Sequence, residues 1–180
     1  MRFSGAVLTG GRSSRFTQDK AEYVYRGKRL AAWVLESLAR ADKRFIVSNR
    51  PYDFGVPVYP DRYPGSSLGG LHAALECAAH DWVAVAACDM PFLNPDYWDE
   101  LLKRRGEARA VVVEGPDGRP EPLAALYHKS LSGLAERQLK TGDFKVQTFI
   151  TGASAHLVPW QELNVTEQTF LNANRLSELP

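Results

Sequence analysis

The sequence predicts an α/β layer fold with a mostly parallel sheet, and three observations lead to it. Patterns typical of strands alternate with patterns typical of helices along the 180 residues. The segment Trp82–Ala87 (WVAVAA) is apolar on both faces, as a central parallel strand should be when helices cover both of its sides. Charged loops, residues 9–20 and 88–94, follow two of the predicted strands. Ligands of such folds bind beyond the carboxyl ends of the strands, so these loops are the candidate binding site.

Apolar spacing divides the first half of the chain into strands and helices. The predicted strands are residues 3–8, 22–25, 44–48, 56–59 and Trp82–Ala87. Helices are predicted over residues 28–41 and 68–79 because apolar side chains recur there every three or four residues, as Leu30, Val34 and Leu38 do. A strand, a loop and a helix therefore follow one another repeatedly.

The second half continues the alternation. A helix is predicted over residues 95–105, with a proline in its first turn, where the missing N–H costs nothing. The later strands are residues 109–114, 123–127 and 155–158, and the later helical segments are 131–139, 146–150 and 176–179. The chain length suits one domain, which we expect to span residues 1–180.

Composition excludes several classes of function. The formal net charge of +1 offers no broad electrostatic attraction for nucleic acid or an anionic membrane, and no apolar run is long enough to span a bilayer. Cys77 and Cys88 lie far apart without a C-x-x-C pair, so neither a zinc site nor a redox pair is indicated. We expect both cysteines to be reduced thiols in the core. The sequence begins with a strand pattern and shows no signal peptide, so we expect a cytoplasmic protein.

The loop after the first strand has the character of a phosphate site. Gly10 and Gly11 have no Cβ that would hold a ligand away from the backbone, so the N–H groups at the end of the strand are accessible. Arg12 and Arg15 follow, and cations at that place suit a polyphosphate. Neither the P-loop pattern nor the dinucleotide pattern G-x-G-x-x-G is present, so another kind of nucleotide loop is indicated.

A single carboxylate follows the central strand. Asp89 could simply cap the next turn, which is common for aspartate in loops. Mg²⁺, however, is usually held by one or two carboxylates together with substrate phosphates. Because the phosphate loop is expected at the same sheet edge, we predict that Asp89 binds Mg²⁺.

The two loops resemble the signatures of nucleotidyltransferases. The first is written L-x-G-G-x-S-x-R-M-G-x-D-K, and here it departs at Phe16 and Thr17, which replace Met and Gly. The positions that match are Leu8, Gly10, Gly11, Ser13, Arg15, Asp19 and Lys20. The second signature, C-D-x-P, begins at Cys88. A third, D…G-P-L-x-G-[IL], matches at Asp61, Leu68, Gly70 and Leu71, with Ser66-Ser67 in place of Gly-Pro.

The carboxyl third resembles the molybdenum cofactor guanylyltransferases, the MobA family. The segments that carry this resemblance are residues 119–127, 140–143 and 170–174. It implies a single-domain, three-layer Rossmann-like nucleotidyltransferase fold. Residues 1–105 would then be mainly the nucleotide-binding half and residues 106–180 mainly the pterin-binding half. We expect Asn172 and Asn174 to seat the pterin, with Arg119 and Lys145 as further candidates.

The resemblance also implies a reaction, in which GMP passes from Mg-GTP to molybdenum-molybdopterin and pyrophosphate leaves. It implies catalytic roles for Arg15, Lys20 and Asp89, with Asp89 as the metal ligand. The implied nucleotide-binding residues are Leu8, Thr9, Gly10, Gly11, Ser13, Lys20, Asp61, Leu68, Gly70 and Asp89. Other enzymes of molybdenum cofactor synthesis are candidate partners. A related transferase that uses CTP or a sugar phosphate, and a molybdopterin carrier without catalysis, remain as alternatives.

Overall fold

The computed structural model describes residues 2–10 and 19–173. Its strands are β1 (Ser4–Leu8), β2 (Val24–Tyr25), β3 (Lys28–Arg29), β4 (Lys43–Val47), β5 (Val58–Tyr59), β6 (Trp82–Ala87), β7 (Ala110–Glu114), β8 (Ala124–His128) and β9 (His156–Pro159). Its α-helices are α1 (Leu30–Ser37), α2 (Ser67–Cys77), α3 (Pro95–Lys103), α4 (Ser132–Lys140) and α5 (Val146–Gly152). Short 3₁₀ turns cover Lys20–Glu22, Lys129–Leu131, Trp160–Glu162 and Glu167–Phe170.

Seven strands form one sheet in the order β5-β4-β1-β6-β8-β7-β9. Strand β8 runs antiparallel to its neighbours β6 and β7, and the other neighbouring pairs are parallel. Strands β2 and β3 form a separate hairpin. The predicted α/β fold with a mostly parallel sheet is confirmed.

Helices cover both faces of the sheet, which makes three layers. On one face Leu35 of α1 and Trp98 of α3 belong to one apolar cluster, and on the other face α2, α4 and α5 contribute side chains to the second cluster. Strand β6 contributes Ala84 and Ala86 to the first cluster and Val83 and Val85 to the second. This explains why its sequence is apolar at every position.

The helix predicted over residues 28–41 begins too early, and the prediction was wrong for its first two residues. Lys28 and Arg29 instead form β3, which pairs with β2. The turn between the two strands is Arg26-Gly27, and both residues have positive φ, 49° and 79°. Two successive residues in that region define a tight hairpin turn, so the chain reverses before α1 begins at Leu30.

The segment predicted as extended over residues 22–25 begins as a 3₁₀ turn and becomes a strand only at Val24. The other predicted elements that fall on described residues agree with the structure to within two residues at their ends, apart from the end of α1, which comes at Ser37. The helical turn predicted at 176–179 lies outside the described residues. Within the part of the chain that the structure describes, no helix has the length and apolar character needed to cross a bilayer.

The start of α2 explains the serine at position 66. The Ser66 hydroxyl oxygen accepts a hydrogen bond from the Gly69 N–H at 3.0 Å, as an N-cap serine should. The chain before the helix crosses close to Gly69, where a Cβ would lie 2.1 Å from the Tyr63 carbonyl oxygen and 3.0 Å from both Asp61 carboxylate oxygens. Only glycine fits there.

The neighbouring glycines of α2 should therefore respond differently to the same substitution. Gly69→Ala should destabilise the fold by about 1–3 kcal/mol, because the backbone carbonyl of Tyr63 must move. Gly70→Ala is the matched control, since a Cβ there meets the Leu8 side chain only at 3.4 Å and alanine favours the helix. Urea unfolding of the two variants measures the difference. Equal stabilities would contradict the clash.

Candidate functional site

A cavity of about 610 Å³ opens at one edge of the sheet, at the carboxyl ends of β1, β4 and β6. Its volume is in the range typical of small-molecule sites. The residues that line it are Leu8, Thr9, Gly10, Asp19, Lys20, Val47, Ser48, Asn49, Arg50, Tyr52, Asp61, Pro64, Gly65, Ser66, Ser67, Gly70, Ala87, Cys88, Asp89 and Leu123. These strands are parallel neighbours, so their following loops converge on one place.

The two loops singled out in the sequence meet at the centre of this edge. The Lys20 Nζ lies 3.0 Å from the Asp89 Oδ2, although the residues are 69 positions apart. Both side chains are 18% exposed, so the charges are largely withdrawn from solvent yet reachable from the cavity. The Cys88 N–H donates to the Leu8 carbonyl at 3.0 Å, which extends the β1–β6 pairing to the start of the Asp89 loop.

Asp19 fixes the backbone that carries Lys20. Its Oδ1 accepts from the Ala21 N–H at 3.0 Å, which caps the 3₁₀ turn. Its Oδ2 accepts from the Tyr52 hydroxyl at 2.5 Å and from Arg50 Nη1 at 3.3 Å. Burial first, and then the hydrogen bond to Asp19, raises the pKa of Tyr52 to about 12. The Lys20 loop is thereby tied to the segment after β4.

Sequence reasoning missed the residues after β4. Asn49, Arg50 and Tyr52 all line the cavity, but their segment matches none of the signatures used above. A usable signal was present nonetheless: the segment follows a predicted strand, and every parallel strand of this sheet ends at the same edge.

Asp61 lies at the end of the cavity beside β5 and α2. Asn49 clamps its backbone, because the Asn49 Oδ1 accepts from the Asp61 N–H at 2.9 Å and its Nδ2 donates to the Asp61 carbonyl at 3.1 Å. Burial raises the pKa of the Asp61 carboxyl, and the Tyr63 N–H, which donates to it at 2.7 Å, opposes that effect. Gly70 lines the same end, whereas Leu68 is fully buried in the core and does not line the cavity.

The structure distributes the remaining predicted residues unevenly. Asn172 lies next to Ala173, whose N–H donates to the Asp89 carbonyl at 2.8 Å, so this segment borders the Asp89 loop. Arg119 is exposed and pairs with its neighbour Asp117 at 4.0 Å. Lys145 is exposed in the connection between α4 and α5. Neither Arg119 nor Lys145 lines the cavity. Four predicted residues lie outside the described residues: Gly11, Ser13, Arg15 and Asn174.

A further carboxyl group near Asp89 was not singled out in the sequence. Glu121 is partly buried between β7 and β8, at the sheet edge that carries the cavity. Desolvation, with the negative charges of Asp117 and Asp89, raises the pKa of Glu121 to about 7. It lies within residues 119–127, a segment that carries the family resemblance, but the sequence assigned no role to this carboxyl group.

The donor atoms fit a magnesium ion that arrives with a nucleotide. Among residues 2–10 and 19–173, no group of three or more His, Cys, Asp or Glu side chains could hold a metal alone. Asp89 supplies one carboxylate, and Mg²⁺ is commonly held by one or two carboxylates plus substrate phosphates. An ion at Asp89 would thus depend on the phosphates of the substrate.

Comparisons with known proteins agree on one family. The family model described as the MobA-like NTP transferase domain matches residues 5–157. Two relatives carry the name "Probable molybdenum cofactor guanylyltransferase". The one from Deinococcus radiodurans is 35% identical to this chain, and the match covers 98% of this chain and 91% of the relative. The one from Pyrococcus furiosus is 33% identical, and the match covers 97% of this chain and 93% of the relative.

Solved structures extend this comparison. The crystal structure of molybdopterin-guanine dinucleotide biosynthesis protein A from Archaeoglobus fulgidus superposes with a TM-score of 0.81 at 26% identity, over 97% of this chain and 94% of that one. A 2-C-methyl-D-erythritol 4-phosphate cytidylyltransferase from Thermus thermophilus gives a TM-score of 0.74 at 16% identity, over 99% and 95%. The second likeness concerns the fold alone.

The raised pKa of Glu121 predicts a pH-dependent stability difference. The pKa of Glu121 is about 7 in the folded protein and near 4.5 in the unfolded chain. The free energy of unfolding therefore decreases as pH rises between these values, because the unfolded chain ionises more readily. The stability of Glu121→Gln relative to the unsubstituted protein should therefore increase from pH 5 to pH 8, on the order of 1 kcal/mol after solvent screening. Urea unfolding at both pH values measures this difference.

Glu136→Gln is the control for that measurement. Hydrogen bonding to Lys140 lowers the pKa of Glu136, so any stability it contributes is lost only as pH falls below about 4.5. Its difference from the unsubstituted protein should be the same at pH 5 and pH 8. A Glu121→Gln difference that is equally constant would contradict the assignment.

Proposed function

The chain belongs to the MobA-like NTP transferase family, and on that basis we propose that it transfers GMP from Mg-GTP to molybdenum-bearing molybdopterin. The terminal phosphate oxygen of molybdopterin attacks the α-phosphorus of GTP, the bond to the β-phosphate oxygen breaks, and pyrophosphate leaves. The product is the molybdopterin guanine dinucleotide cofactor. The observation that carries the proposal is the Lys20–Asp89 pair, a cation and a carboxylate 3.0 Å apart in the lining of the cavity.

The centre of the cavity would hold the triphosphate. Thr9 and Gly10 lie where the chain leaves β1. Apart from its chain neighbours, no described residue lies within 4 Å of the position that a Cβ on the exposed Gly10 would take, which leaves space for phosphate oxygens. Lys20 would neutralise charge on the reacting phosphates and on the pyrophosphate that leaves. We assign the same task to Arg15 and phosphate contacts to Gly11 and Ser13, on the match of the signature loop.

Asp89 would hold the magnesium ion. When bound, Mg²⁺ would stabilise negative charge on the phosphates. Because the triphosphate competes for the Lys20 ammonium group, nucleotide binding leaves the Asp89 carboxylate available. Attack by an existing phosphate oxygen needs no protein nucleophile, so positioning and charge stabilisation account for the chemistry.

The base would lie at the end of the cavity beside Asp61 and the start of α2. Guanine presents an N1–H and an amino group, and the partly buried Asp61 carboxylate accepts such donors. The glycine at Gly70 lets the base approach the helix backbone. We assign Leu8 and Leu68 to the packing beneath this end, since both are buried.

The second substrate would approach from the other side of Asp89. Asn172 borders the Asp89 loop, and we assign it with Asn174 to the pterin substrate, with Arg119 and Lys145 as outer candidates. The cavity is lined by residues before 105 apart from Leu123. This supports the proposal that residues 1–105 bind mainly nucleotide and residues 106–180 mainly pterin.

A nucleotide screen tests the function. With molybdopterin and Mg²⁺ present, pyrophosphate should be released from GTP and far less from CTP or ATP, because a site that pairs with the guanine edge leaves polar atoms unmatched with other bases. Reactions without molybdopterin are the control. Equal turnover of CTP would transfer the assignment to a cytidylyltransferase, and binding without pyrophosphate release would indicate a carrier.

Replacing the carboxylate of Asp89 tests its role. Asp89→Asn keeps the shape but removes the charge that would hold Mg²⁺, so turnover should fall by orders of magnitude while the fold survives. Pyrophosphate release over a range of Mg²⁺ concentrations, with thermal unfolding as the fold check, measures the effect. Asp96→Asn, on an exposed position of α3, is the matched control and should retain activity. Near-normal turnover of Asp89→Asn at low Mg²⁺ would show that Asp89 holds no metal.

A further inference from the structure

Glu121 stands on a rigid platform at the sheet edge that carries the cavity. Its N–H donates to the Val113 carbonyl at 2.8 Å, and its carbonyl accepts from the Ala124 N–H at 3.1 Å. The next residue is held as well, because the Tyr127 hydroxyl donates to the Pro122 carbonyl at 2.8 Å. Fully buried Tyr97 donates its hydroxyl to the Ala124 carbonyl. The backbone of Glu121 is therefore positioned in advance of any ligand.

The Glu121 side chain is partly buried without a partner among the described residues. Within residues 2–10 and 19–173, no hydrogen bond or ion pair reaches its carboxylate. The side chain lies over Gly115, where a Cβ would come within 3.1 Å of the Glu121 Oε1. A partly buried carboxylate without a donor loses hydration and gains nothing in the free protein, so it is suited to a ligand that supplies donors.

The charges around Glu121 select the chemistry of that ligand. Asp89 and Asp117 are both close enough for their negative charges to act on it. A phosphate would be repelled at this position, whereas N–H donors would be attracted. Leu123, two residues along, lines the cavity, so Glu121 lies beside it on the β8 side of Asp89. The end of the cavity that holds Asp61 is on the opposite side, beyond β1 and β4.

We propose that the Glu121 carboxylate binds the pterin of the second substrate, by accepting hydrogen bonds from its 2-amino group and the adjacent ring N–H. These two donors lie side by side on an aminopyrimidinone edge and match the two oxygens of a carboxylate. The substrate then spans Asp89, with its phosphate on the metal side and its pterin edge at Glu121. This inference rests on the proposed function, because it names a contact for the substrate of that reaction.

The test compares Glu121→Gln with Glu114→Gln, a matched control on the strand that precedes the same turn. Binding of molybdopterin, measured by anaerobic calorimetry, should weaken about ten- to a hundredfold in Glu121→Gln, because a charge-assisted contact is lost. The KM for molybdopterin should rise by a similar factor. The dissociation constant for GTP and the turnover number at saturating molybdopterin should be unchanged, and Glu114→Gln should resemble the unsubstituted protein throughout.

The outcomes separate the contact from the function. If the unsubstituted protein binds and converts molybdopterin and Glu121→Gln does so equally well, the contact is wrong and the function stands. Loss of GTP binding in Glu121→Gln would overturn the contact by moving the residue to the nucleotide side. If the unsubstituted protein neither binds molybdopterin nor releases pyrophosphate with it, the proposed function fails and the inference fails with it. Thermal unfolding shows whether both variants are folded.

Discussion

The Lys20–Asp89 ion pair joins the loop after β1 to the loop after β6 at the centre of the candidate site, and the arrangement of the surrounding loops is built around it. Opposite charges 3.0 Å apart are withdrawn from solvent at the middle of the sheet edge. A largely desolvated pair is costly to break by removing one partner, because the other charge is left uncompensated. In the proposed reaction, the triphosphate would offer Lys20 a new partner, so the charge of Lys20 would stay compensated when Asp89 turns to the metal ion.

The loops around that pair are linked by side-chain hydrogen bonds and by one close backbone approach. Asp19 links the Lys20 turn to the segment after β4 through Tyr52, and Asn49 links that segment to Asp61. Gly69 allows the Asp61 loop to cross the start of α2. Each link crosses between loops that follow different strands, so the cavity walls hold one another in position without forming part of the sheet.

Much of the architecture could be predicted because the hydrophobic periodicity is strong. Strand β6 was predicted at its observed bounds, since a short apolar run between Asp81 and the Cys88-Asp89 loop leaves little freedom in where the strand begins and ends. The start of α1 was wrong because residues 28–41 have helical apolar spacing, while the Arg26-Gly27 turn pairs Lys28 and Arg29 with β2. A local hairpin therefore took precedence over a periodic pattern, and turn conformation is weakly encoded when one of the two residues is arginine.

The sequence by itself determined the fold class and the two loops of the site, because signature residues at fixed spacing follow strands whose ends must converge. Tertiary structure alone decided which other residues join them. Arg50 and Tyr52 match none of the signatures, and Glu121 lies in residues 119–127 without a role assigned to it. Burial and neighbours distant in sequence are what distinguish these three residues. The structure also distinguishes Gly69 from Gly70, because the Tyr63 carbonyl lies against Gly69, whereas the Leu8 side chain leaves ordinary contact distance at Gly70. Such contacts depend on distances between segments, which no local pattern of residues specifies.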